Sequence, residues 1–229
     1  LTEIDEIKRR YRERESLPAN RYNYLSPAIY MGEQEKEKAL IKFLEFANLG
    51  PVKELKLLEI GCGAGNNLLE FIRLGFLPEN LTGVELLTNR VKEAKGKLPS
   101  AVSIIEGDAL EVKFDKKSYD IVFQSMVFSS ILDIRFQNSL ALKMSELTKE
   151  KGGILWYDFT FDNPKNKDVM GIKYNRVKEL FPDKKIKKWK ITLAPPLSRV
   201  VTKIHPNFYS VFNLIPFLRT HILCWIYKS

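Results

Sequence analysis

Cysteine and histidine are both scarce, with two of each in 229 residues. Cys62 and Cys224 lie far apart, and the chain contains neither CxxC nor HExxH. A disulfide framework and a zinc site are therefore not indicated, no metal is expected, and a reducing cytoplasm is the simpler setting. A long hydrophobic run is missing too. Phe208 to Tyr227 is rich in apolar residues, but Asn213, Pro216, Arg219 and His221 interrupt it, and a spanning helix needs about 20 in a row. A surface-lying amphipathic element stays open there. The glycine-rich turn near residue 60 lacks the lysine of a phosphate loop, and Asn66 stands where the dinucleotide fingerprint needs its third glycine. ATP and NAD are both disfavoured. No signal-peptide pattern is readable in the residues at hand.

What is present is organised around LLEIGCGAGNN, Leu57 to Asn67. An apolar run ending in an acid, then three glycines at alternate positions, describes a buried strand that stops and turns into a helix. Glycine at 61, 63 and 65 permits positive φ and lets backbone approach a ligand, while the next helix offers unpaired N–H groups. Around this unit, ELKLLEI, LTGVE, AVSIIEGD, SYDIVFQSM and ILWYDFT read as five strands separated by helical segments. Crossovers of that length connect parallel neighbours, so the chain predicts an α/β fold with a doubly wound, mostly parallel sheet and helices on both faces. Its length suits one such domain. Ligands bind such sheets beyond the carboxyl ends of the strands. Glu59, Glu85, Asp108, Gln124 and Asp158 all fall there.

Several of these motifs in order, Glu59-x-Gly61-x-Gly63-x-Gly65, then Glu85 closing strand two and Asp108 after strand three, resemble the class I S-adenosylmethionine-dependent methyltransferases across about residues 31 to 161. The resemblance implies a Rossmann-like seven-stranded sheet with an antiparallel last strand, THILCWIY, and S-adenosylmethionine as cofactor. It implies that Glu85 accepts hydrogen bonds from the ribose hydroxyls, with Leu86 against the adenine and Asp108 with Ala109 at the adenine amino group. Glu59 and the backbone of Gly61, Gly63 and Gly65 would surround the methionine end, with Gln124 near its amino or carboxylate group. Residues 1–30 would be a lid or lead-in segment, in which Tyr22, Tyr24 and Tyr30 line the cofactor mouth. Residues 31–229 would be the methyltransferase domain, with a helical insertion at 195–218 between strands six and seven.

The acceptor is narrowed by what the family motifs lack here. QSMVFSS stands after strand four, in place of the Asn/Asp-Pro-Pro-aromatic run of amine and amide methylating members or the Pro-Cys of cytosine-C5 enzymes. The tail is similar to bacterial glycan and natural-product methyltransferases, which suggests O-methylation of a sugar, a glycan terminus or another small hydroxylated metabolite. An alcohol must lose a proton, so a base is required. Asp158 and His221 are the candidates for this catalytic role, ahead of His205, which precedes a proline.

The net charge of +9 invites a nucleic-acid reading. Its excess falls in IKRRYRER (7–14) and KKIKKWK (184–190), which read as a solvated helix face and the exposed side of a strand. No nucleic-acid partner is expected, while peripheral contact with anionic lipid stays open. A lipid or quinone head-group methyltransferase, an RNA methyltransferase and a non-catalytic cofactor-binding module are the alternatives, the last because fold alone never establishes activity.

Overall fold

The structure, a computed structural model, describes residues 2–15, 23–164 and 166–228. Seven strands form one sheet: β1 (Leu57–Ile60), β2 (Leu81–Glu85), β3 (Ser103–Glu106), β4 (Tyr119–Ser125), β5 (Thr148–Phe159), β6 (Ile186–Leu193) and β7 (Arg219–Tyr227). Their order is β3-β2-β1-β4-β5-β7-β6. The pairs from β3 to β5 are parallel, while β7 runs antiparallel to both β5 and β6. Strand order reverses between β1 and β4, which opens a crevice at their carboxyl ends.

Alternation along the strands feeds two cores, one on each face. Leu57, Phe123, Leu155 and Trp225 point to one side, where they meet α2 (Pro27–Ala47) and α3 (Asn66–Arg73) through Phe43 and Phe71. Leu58, Val122, Trp156 and Ile226 point to the other, against Met144 of α5 (Ile134–Leu147) and Val177 of α6 (Tyr174–Leu180). Because β1 and β4 are buried on both faces, they read as continuous apolar runs. Helix α4 (Thr88–Lys97) links β2 to β3 and buries Val91 and Ala94 in the first core. Between β6 and β7, residues 194–218 carry α7 (Pro195–Ile204) and α8 (Phe208–Asn213), built on a small core of Leu193, Val201 and Tyr209.

Helix α2 begins at Pro27, because Ser26 takes an extended N-cap conformation and Pro27 the first helical position, where its missing N–H costs nothing. Gly152 and Gly153 lie inside β5, where a Cβ would collide with the Asp120 carbonyl and the Trp225 ring. The first helix, α1 (Glu3–Glu15), is not a purely solvated face, since Ile7 and Arg10 are buried against the domain. Among the described residues no helix is long and apolar enough to cross a membrane, and no group of three His, Cys, Asp or Glu could hold a metal.

Candidate functional site

The turn after β1 is built from three glycines with φ of 65°, 55° and 79° at positions 61, 63 and 65, a region that L side chains rarely adopt. Each does a different job. A Cβ on Gly61 would sit 2.6 Å from Val127 Cγ2, and Gly61 lines the cleft. Gly63 donates its N–H to Glu85 Oε2 at 2.8 Å. Gly65 is the N-cap of α3, and a Cβ there would meet Leu98 Cδ1 at 2.6 Å and Ala94 at 3.4 Å. It serves the packing of α3 on α4 and its following residue, and it does not line the cleft.

Glu85 ends β2 almost fully buried, its Oε1 accepting from Leu87 N at 2.9 Å. Since a carboxylate has about four acceptor sites, each Glu85 oxygen keeps one lone pair for a ligand. A cavity of about 200 Å³ opens beside it, lined by Glu85, Leu86, Asp108 and Ala109 on one side and by Met126 and Val127 on another. Asp108 caps its own turn through Oδ1 to Leu110 N at 2.9 Å. Phe136 and Leu140 of α5 also line the cavity, and a further wall is α1, through Ile4, Ile7 and Tyr11. Arg10 holds that helix down: it pairs with Glu3 at 2.6 Å and donates to the Ser130 carbonyl at 3.0 Å, while Glu3 accepts from Leu132 N at 2.9 Å. The Arg90 guanidinium lies 4.6 Å from the Tyr11 ring centroid. The sequence reading missed this wall, although Ile4, Ile7 and Tyr11 recur at the helical spacing that marks a buried face. Tyr24 and Tyr30 do not cover the cleft; they are exposed and stack edge to face on each other at 5.6 Å. Tyr22 lies outside the described residues.

Glu59 ends β1 with no exposure at all. Asn67 Nδ2 donates to its Oε1 at 2.6 Å, and Asn67 Oδ1 accepts from Lys36 Nζ at 3.0 Å. Its Oε2 has no partner and is buried. Burial pushes the Glu59 carboxyl up to about 8, against the lowering effects of Asn67 and Lys36.

Two assigned residues turn out to be occupied by the scaffold. Gln124 accepts from Val127 N at 3.0 Å and donates to the Tyr157 carbonyl at 3.3 Å, so it braces the turn after β4 instead of presenting its amide to a ligand. Asp158, also fully buried, accepts from Ser129 N at 3.2 Å and Phe159 N at 3.0 Å. Burial raises its carboxyl to about 7. With one backbone amide on each oxygen, Asp158 ties the end of β5 to the turn at 128–130. His221 is different. It opposes Phe159 at the start of β7 and stacks on Tyr157, with centroids 5.2 Å apart and planes 12° from parallel. Its Nδ1 lies 3.1 Å from Thr220 Oγ1, and Nε2 has no hydrogen-bond partner among the described residues. Burial first, and then the Lys36 charge, lower its pKa to about 4, so the ring is neutral at physiological pH. His205 is exposed beyond α7, and its Nδ1 accepts from Asn207 N at 3.2 Å.

Residues 58–155 match a family described as a methyltransferase domain. No curated protein matches the chain by sequence. Among solved structures the fold is similar to magnesium protoporphyrin IX methyltransferase from Synechocystis with bound SAH, at 14% identity and a TM-score of 0.63, covering 96% of this chain and 94% of that one. The same protein with bound SAM gives 15% and 0.64, covering 99% and 98%. A SAM-dependent methyltransferase from Thermotoga maritima, described as a possible histamine N-methyltransferase, gives 15% and 0.64, with all of both chains covered.

Proposed function

We propose that this S-adenosylmethionine-dependent methyltransferase, with its class I fold, methylates a hydroxyl of a sugar, a glycan terminus or another small hydroxylated metabolite, and that His221 accepts the proton. The cofactor supplies a methyl group activated on a sulfonium. The residues suit it in two ways: Glu59 Oε2 is a buried carboxyl oxygen with no partner among the described residues, which an ammonium would pair by ionising the group, and Glu85 retains acceptor capacity beside a cavity with an apolar wall at Leu86. On this reading Glu85 takes the ribose hydroxyls, Leu86, Asp108 and Ala109 border the adenine, and Glu59 with the Gly61–Gly63 backbone holds the methionine end.

The observation that carries the hydroxyl assignment is the neutral, buried His221 on the carboxyl edge of the sheet, its Nδ1 3.1 Å from Thr220 Oγ1 and its Nε2 without a hydrogen-bond partner among the described residues. A hydroxyl proton becomes strongly acidic as its oxygen is alkylated, so a base with a depressed pKa is strong enough to remove it. Tyr157 fixes the ring plane by stacking and is itself held by Thr192 Oγ1 at 3.0 Å. Together with Phe159, 6.1 Å away, it surrounds the imidazole with apolar surface that keeps water out.

Methyl transfer to a panel of hydroxylated sugars and metabolites, run beside matched amines, tests the proposal. His221→Ala should lower kcat on the hydroxyl acceptor by roughly 100-fold, in the range general-base removal produces, with S-adenosylmethionine affinity unchanged by titration calorimetry. The wild-type rate should stay level from pH 8 down to about 5.5, because the ring charges only near 4. Turnover on amines alone, or an unimpaired His221→Ala enzyme, would overturn it.

A further inference from the structure

We propose that α7, α8 and the turn Pro216–Leu218 dock the enzyme on a lipid bilayer bearing anionic head groups. Helix α7 buries Val201 in the small core but leaves further aliphatic side chains on its outer face, which a helix that only covers a domain would keep polar. Ser198 and Thr202 are buried, whereas Val200 and Ile204, one turn apart, are 60% and 72% exposed. The buried hydroxyls are satisfied locally, Thr202 Oγ1 donating to the Ser198 carbonyl at 2.7 Å and Ser198 Oγ to the Ala28 carbonyl at 3.4 Å. Within the same insertion Val211, Leu214 and Phe217 are exposed as well, the last two 75%. Large exposed apolar residues gathered in one insertion are the material of an interaction site.

Charge identifies the partner. After Asp183 the chain has no acidic residue, and residues 184–229 carry nine Lys and Arg. The remaining 28 basic residues are balanced by 28 acidic ones, so the whole net charge of +9 resides in this C-terminal part. Arg199 and Lys203 stand on α7 immediately beside Val200 and Ile204, both exposed. Aliphatic side chains that enter the acyl boundary, flanked by cations that meet phosphate, are the pattern of an interfacial helix. A second copy docking through the same face would set these cations against each other. Nucleic acid would leave Val200, Ile204 and Leu214 without a use, since aliphatic groups do not stack on bases. The face follows the carboxyl end of β6, so it shares the sheet edge on which the cofactor cleft opens. The inference is independent of the acceptor chosen above.

Cosedimentation of the full chain with phosphatidylcholine vesicles, with and without about 30 mol % phosphatidylglycerol, tests it. The wild type should bind the anionic vesicles at least about tenfold more tightly than the neutral ones, and rising salt should weaken it. The triple variant Ile204→Ser, Leu214→Ser, Phe217→Ser should lose about tenfold in partitioning while keeping its Tm and S-adenosylmethionine affinity. Arg199→Glu with Lys203→Glu should lose the preference for the anionic lipid. Equal, negligible partitioning to both vesicles would overturn the proposal, as would a triple variant that binds like the wild type. A dimer in solution that the triple variant dissolves would overturn it in favour of a second copy.

Discussion

Three glycines in one turn look equivalent in a sequence motif, yet their environments separate them. Gly61 borders the cleft and Gly63 anchors Glu85, whereas Gly65 holds φ of 79° with Leu98 and Ala94 pressed against the place of a Cβ. Gly65→Ala should therefore destabilise the fold by roughly 1–3 kcal/mol, through positive φ and overpacking together. Chemical denaturation checks the magnitude. In the folded fraction, S-adenosylmethionine affinity should stay near wild type. The same scale explains why Asp158 was readable as a strand-end acid and not as a clamp: its role depends on Ser129, 29 residues away in sequence, whose N–H it accepts.

At the scale of elements, α1 is the case in which local sequence misleads. Ile7–Arg14 has four arginines and one lysine, and such a helix reads as solvated. The fold instead buries Arg10 to 4% exposure by giving it Glu3 and the Ser130 carbonyl, so that Ile4, Ile7 and Tyr11 wall the cleft. Removing one partner of a buried pair leaves the other uncompensated. Arg10→Ala should loosen α1 from the cleft, and stopped-flow displacement should show S-adenosylmethionine leaving about tenfold faster, a change of about 1.4 kcal/mol. The seven-stranded domain contributes the cores, so the main thermal transition should move much less than the dissociation rate does.

The pH dependence of stability belongs to the whole molecule. Glu59 and Asp158 are raised to about 8 and about 7 in the folded chain, whereas unfolded carboxyls titrate near 4. Between those limits the folded state holds more protons, so the stability these groups contribute is present at low pH and is lost as pH rises through 7 and 8. His221 acts with the opposite sign: its depressed pKa of about 4 costs stability as pH falls below about 6.5. Above 6.5 only the carboxyls change, and Tm should decline between pH 6.5 and 8.5. Glu59→Gln, which cannot ionise, should flatten part of that decline in a thermal scan, with its advantage over wild type greatest at the alkaline end.

The sheet and the cleft were legible in the chain because their signals are local. Apolar runs one strand long, glycines at alternate positions and acids at strand ends are set by backbone sterics and by the need to bury both faces, and of the residues singled out on those signals Gly61, Glu85, Leu86, Asp108 and Ala109 line one cavity. Other features required the folded chain. The cover supplied by α1, the capture of Gln124 and Asp158 by backbone amides, and the neutral state of His221 against Tyr157 all arise from contacts between segments far apart in sequence. Burial and pairing decide such roles, and neither is a property of a residue's neighbours in the chain. The same holds for α7, whose mixed polar and apolar residues allow more than one face to be inside; only its packing on α2 and β6 turned Ser198, Val201 and Thr202 inward and left Val200 and Ile204 to the solvent.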